Sequence, residues 1–152
     1  MTGSAFRFRL ERVRAVRERK ETAAKQELAH AISRRSRSEA ELDAADAHMQ
    51  HAHNEQRSAS DGAATISATE LVARQAFVER VEAQRADTVR ELSQRDAEVR
   101  ERDALLITAA SEHEMLNRLR ERQEDQHRRE SERVEQVALD EIATQRFRRS
   151  RA

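Results

Sequence analysis

The sequence predicts an all-α fold: a long two-helix antiparallel coiled-coil hairpin whose second helix extends past the first. Three observations carry this. The 152-residue chain has no proline and only two glycines, so nearly nothing in it forces a helix to break. Its bulk is Ala, Arg, Glu, Gln and Leu, all strong helix formers. Apolar residues recur at helical spacing on both sides of one interruption, Ser58 to Leu71, which contains Gly62. With 38% charged and 3% aromatic residues there is too little apolar material for a thick core, but a two-helix seam needs far less.

The expected layout is a single coiled-coil hairpin over residues 1–152: helix 1 at about 5–57, a hinge at about 58–66, helix 2 at about 67–147 and a basic tail at 148–152. Helix 1 rests on Phe6, Leu10, Val13, Ala24, Leu28, Ala31 or Ile32, Leu42, Ala45, Met49 and Ala52, spaced mostly by threes and fours. Arg17, Lys20 and Arg35 fall on or near that seam and are expected to weaken it, since a buried charge is costly unless paired.

In the hinge, Gly62 can take the left-handed backbone that ends a helix. Ser67-Ala68-Thr69-Glu70 reads as a capping box, with Ile66 and Leu71 at the positions of a hydrophobic staple. Helix 2 then carries a seven-residue ladder, Leu71, Val78, Arg85, Leu92, Val99, Leu106 and His113, which argues a coiled coil rather than an ordinary surface helix. Val134, Val137 and Ile142 continue an apolar stripe towards Phe147.

Folding at this hinge sets a register in which paired residue numbers sum to about 124, from the helix ends read off the caps. Leu42 then meets the region of Val81, Met49 that of Gln75, Phe6 that of Arg118 and Leu119, and His113 lies opposite Glu11. Residues from about 120 onward are left with no partner on helix 1. Net charge is zero overall, yet residues 1–20 hold seven basic and two acidic side chains. With 118–152 added (ten basic, eight acidic) the terminal end of the hairpin is positive and the remainder negative. Such a field orients partners more than it adds affinity.

Little here supports catalysis. There is no glycine-rich phosphate loop, and the absence of cysteine removes thiol chemistry and thiolate metal sites. His48 and His51 are one helical turn apart, but His53 points elsewhere and no third metal ligand stands at the right spacing. His113-Glu114 is not a zinc-protease motif, because residue 117 is Asn117. A two-helix protein has no cleft in which to desolvate a carboxylate pair. The expectation is a non-enzyme with no cofactor and no metal. No apolar run reaches the ~18 residues of a membrane span, and the charged start FRFRLERVRAVRER is no secretory signal. A cytoplasmic protein is expected.

Two terminal stretches resemble FliJ, the small coiled-coil component of the flagellar type III export apparatus. They are Phe6-Arg7-Phe8-Arg9-Leu10-Glu11-Arg12-Val13, leading to Arg17, Glu21 and Ala24, and LRERQEDQHRRESERVEQVALDE from Leu119 to Glu141. The second holds the Glu135-Gln136 and Asp140-Glu141 pairs of the family's closing motif. It departs from the family at Gln126-His127, where a tyrosine is frequent, and at Val137, where a lysine is usual.

The resemblance implies a stalk-like protein that binds the ring of the flagellar export ATPase and couples it to the membrane export gate and to export chaperones. It also implies peripheral association with the inner membrane at the flagellar base. By the same resemblance the ATPase-binding residues are Phe6, Phe8, Leu10, Val13, Arg122, Arg129, Arg133, Gln136 and Glu141. A gate-binding patch falls at Phe77 and Val81, with Phe77 readable equally as a residue flanking the seam. Two other functions compete. One is a generic structural or adaptor coiled coil. The other is a nucleic-acid binder using the basic N-terminal end, against which the interleaved carboxylates and zero net charge argue.

Overall fold

In the computed structural model, α1 spans Glu11–Asp61 and α2 spans Ala68–Ser150. The structure describes residues 5–61 and 67–150, with side chains through 58 in the first stretch and 149 in the second. Gly62 and Ile66, on which the hinge and the staple were read, lie outside the described residues.

The helix ends differ from the sequence reading. Residues 5–8 are irregular and 9–10 form a turn, so α1 begins at Glu11 rather than near 5. It continues to Asp61, past the expected end near 57. At the start of α2 the cap is as read: the Glu70 amide donates to Ser67 Oγ at 3.2 Å, and the Leu71 amide to the Ser67 carbonyl at 3.1 Å. The carboxylate half of the box is diverted, because Glu70 accepts from Arg74 at 2.8 Å. Arg148 and Arg149 stand in the last turn of α2, where cations suit the helix dipole, rather than in a separate tail.

Contacts divide the chain into two units. Unit 1 joins Met1–Thr22 with Ile107–Ala152, and unit 2 is Ala23–Leu106. Unit 2 holds most of the core. On α1, Ala31, Ser38, Ala45 and Ala52 recur every seven residues; Ala31, Ser38 and Ala52 are buried and Ala45 half-buried. From α2, Val78 and Val81 are buried. Side chains this small let two helix backbones approach closely, so a thin seam excludes water with little apolar volume. The choice between Ala31 and Ile32 resolves for Ala31, which is fully buried while Ile32 is 50% exposed. Unit 1 buries Phe8 alone among the described hydrophobic residues.

In each unit the two helices run antiparallel. In unit 2 the pairs are Arg34 with Glu98, Arg35 with Asp96, Asp46 with Arg85, His53 with Glu82 and Gln56 with Gln75. In unit 1 they are Phe6 with His127, Arg14 with Asn117, Arg17 with Glu112 and Glu21 with His113. Paired numbers sum to about 131, not about 124, so the register lies about one heptad further along. This corrects the pairing read from sequence: His113 lies opposite Glu21 rather than Glu11, and Phe6 opposite His127 rather than Arg118.

The physical reason is electrostatic. A seven-residue shift keeps the same helix faces together, so apolar pattern alone does not choose between the two registers. With a sum of 124, Arg17, Arg35 and Asp46 would face Ile107, Val89 and Val78. In the observed register each meets an opposite charge: Glu112, Asp96 and Arg85. Arg17, Arg35 and Arg85 are thus each paired across the two helices in this register, which favours it over the alternative. Asp96 raises the pKa of Arg35 above its ordinary value, and Arg34 holds the Glu98 carboxyl below the usual range.

Candidate functional site

The sequence-marked residues of both chain ends fall in unit 1, where the N-terminal turn meets α2 at Arg120 and His127, while Arg129, Arg133, Gln136 and Glu141 lie further along α2. Residues 5–10 fold back as a turn: the Glu11 amide donates to the Phe8 carbonyl at 3.3 Å, and the Arg14 amide to the Leu10 carbonyl at 2.9 Å. This buries Phe8 and sets the Phe6 ring against His127, centroids 5.8 Å apart and tilted by 57°. Leu10 and Val13, on either side of the first turn of α1, remain more than a third exposed.

A polar network follows along α1. Arg14 donates to Glu11 through Nε at 3.0 Å and Nη2 at 2.6 Å, and through Nη1 to Asn117 Oδ1 at 3.5 Å. The Arg14 guanidinium holds the Glu11 carboxyl below its usual range, and its own pKa rises in turn. Asn117 Nδ2 lies 3.3 Å from His113 Nε2, and His113 Nδ1 lies 2.7 Å from Glu21. These residues were not marked as functional in the sequence. The signal that could have found the network is the alternation of Arg14, Arg17 and Glu21 on one face with Glu112, His113 and Asn117 on the other, once the register is known.

Beyond His127, α2 continues to Ser150. Val134, Val137, Leu139 and Ile142 are each at least half exposed there. Arg122, Arg129 and Glu141 are exposed. Arg133 is held by Glu130 at 3.0 Å, which raises its pKa, and Gln136 donates to Asp140 at 3.3 Å. These polar contacts stay within α2, three or four residues apart, so they stiffen the helix without covering the apolar positions. By the observed register α1 ends opposite about Arg120, as expected, and the turn before it reaches His127 through Phe6. Isolated exposed apolar residues need no explanation; here four fall within one short stretch of α2.

The other marked pair lies in unit 2. Phe77 is 37% exposed with its ring edge-on to His48, centroids 5.9 Å apart, while Val81 is buried in the seam. Only Phe77 of the two offers a surface. The neighbouring histidines go separate ways: His51 to Glu55 and His53 to Glu82, each at 3.3 Å, and His48 to Phe77. Among the described residues no three metal-binding side chains converge. Of the charged groups near the seam, Arg14, Arg17, Arg34, Arg35 and Arg85 meet opposite charges at partly exposed positions.

Among the described residues no helix is long and apolar enough to cross a membrane. No curated protein and no solved structure matches this chain. One family does: the profile of the flagellar FliJ protein matches residues 6–152, which takes in both terminal segments of unit 1 and the whole of α1 and α2. The chain therefore belongs to the FliJ family, a non-enzymatic coiled-coil component of flagellar type III protein export.

Proposed function

We propose that this protein binds the export ATPase ring through unit 1 and links it to the export gate and to export chaperones at the inner-membrane face of the flagellar base. The observation that supports the ATPase contact most is the exposed run Val134, Val137 and Ile142 on α2 beyond His127. A helix keeps such a run only where something else covers it, and the family is one of an export assembly. In this reading Leu10, Val13, Arg122, Arg129 and Glu141 meet the ring directly. Arg133 and Gln136 do so through their polar edges, and Phe6 and Phe8 hold the N-terminal turn in place. Phe77 is the gate-facing residue, and buried Val81 supports it from the seam.

Co-purification with the cognate export ATPase tests this. The full chain retains the ATPase, and Val134→Asp/Val137→Asp/Ile142→Asp does not, although its helical circular dichroism is unchanged. Equal retention by the two proteins would sink the reading.

A further inference from the structure

We propose that the groove where α1 begins receives an acidic peptide segment of a protein partner. This rests on the reading of unit 1 as the partner-binding region and adds the chemistry of what it binds. The groove has a volume of about 810 Å³, and four arginines line it: Arg7, Arg9, Arg12 and Arg120. Among the described residues no carboxylate lies within ion-pair distance of Arg7, Arg9 or Arg12. The next two arginines along the same helix, Arg14 and Arg17, each have one. Glu11, the carboxylate in the lining, is held by Arg14 at 2.6 Å and also attracts Arg120, which lies 4.0 Å from Glu124, so Arg7, Arg9 and Arg12 are the arginines left to a ligand. The positive end of the α1 dipole adds to the field at the same place. Guanidinium groups bind carboxylates with two parallel hydrogen bonds, so several together select a run of Asp or Glu.

A nucleic acid fits less well. Single strands are held by stacking bases on free aromatic faces. Here the Phe6 ring is already against His127 and Phe8 is buried.

Fluorescence anisotropy with labelled hexaglutamate and hexaglutamine, against the full chain, reads this directly. Hexaglutamate binds and hexaglutamine does not. Arg7→Gln/Arg9→Gln/Arg12→Gln weakens hexaglutamate at least about tenfold with unchanged helical circular dichroism. Arg146→Gln/Arg148→Gln/Arg149→Gln, an equal loss of charge at the end of α2, leaves it within about twofold. No hexaglutamate binding, an equal loss in both variants, or tighter binding of single-stranded polyuridylate than of hexaglutamate each overturns the proposal. Co-purification with the export ATPase separates the two claims. Equal retention by wild type and the groove variant defeats the groove as its receptor but leaves the ATPase reading standing. Failure of the wild type to retain the ATPase defeats that reading, while the peptide titration still decides the groove.

Discussion

Unit 2 buries Ala31, Ser38, Ala52, Val78 and Val81, whereas unit 1 buries Phe8 and leaves Val134, Val137, Leu139 and Ile142 at least half exposed. Both are cut from the same two helices, with similar charge density and cross-helix ion pairs in each. They differ in what α1 supplies. In unit 2 it offers a small residue every seven positions, and the apolar residues of α2 close down on it. In unit 1 α1 ends, a short turn buries Phe8 and sets Phe6 against His127, and α2 goes on with Val134, Val137, Leu139 and Ile142 at least half exposed. Charge follows the same division: unit 1 holds 17 basic and 13 acidic side chains and unit 2 holds 12 and 16. Unit 2 thus holds most of the buried side chains, and unit 1 the exposed apolar run and the excess of positive charge.

The sharpest way to break this comparison is to place one charge in each unit. Val81→Asp puts an unpaired carboxylate in the seam of unit 2 and should cost roughly 3 kcal/mol or more, seen as a large fall in Tm by circular dichroism. Val137→Asp on the exposed run of unit 1 should stay within about 0.5 kcal/mol. Next, Ala52→Leu overfills the close approach of the unit 2 helices and should cost about 1–3 kcal/mol.

Smaller effects test the register. Asp46→Arg and Arg85→Asp should each destabilise the chain, and the double variant should recover part of the loss, a coupling of ~0.2–1 kcal/mol for a pair this exposed. A register with a sum near 124 would show no coupling, because Asp46 would then face Val78. The smallest effect is acid sensitivity. Arg34 and Arg14 hold the Glu98 and Glu11 carboxyls below their usual range. A carboxyl depressed in the folded state binds its proton more readily when unfolded. Its stabilisation is therefore present above the unfolded pKa of about 4.3 and fades as pH falls through the lower folded value. Tm should drop below about pH 4, and Glu98→Gln should lower Tm at pH 7 while flattening that drop.

Much of the fold was legible in the residues because helix signals are local. The absence of proline, the heptad ladder from Leu71 to His113 and the Ser67 cap each act within a few residues, and the cap is present in the structure. Register was not legible in the same way. Apolar periodicity repeats every seven residues and is blind to a one-heptad shift, so the choice fell to pairs such as Arg35 with Asp96 and Asp46 with Arg85, which are far apart in sequence. Ser38 was missed on the seam because its hydroxyl reads as a surface residue, although its place between Ala31 and Ala45 at seven-residue spacing marks it. For the candidate site, the terminal motifs singled out two segments that both fall in unit 1. Which side chains in them are exposed depended on the turn at residues 9–10, and that turn buries Phe8 and turns Phe6 onto His127. Val81 illustrates the converse: spacing matched it with Phe77, but the seam claims it.

In the proposed function a partner covers unit 1, while unit 2 keeps the same contacts with or without it. Amide hydrogen exchange of the full chain, alone and with the export ATPase, tests it most directly. Protection added by the ATPase should fall on residues 8–16 and 128–149, with residues 31–56 and 75–98 already protected and unchanged. New protection confined to residues 31–56 and 75–98, or none in either unit, would contradict it.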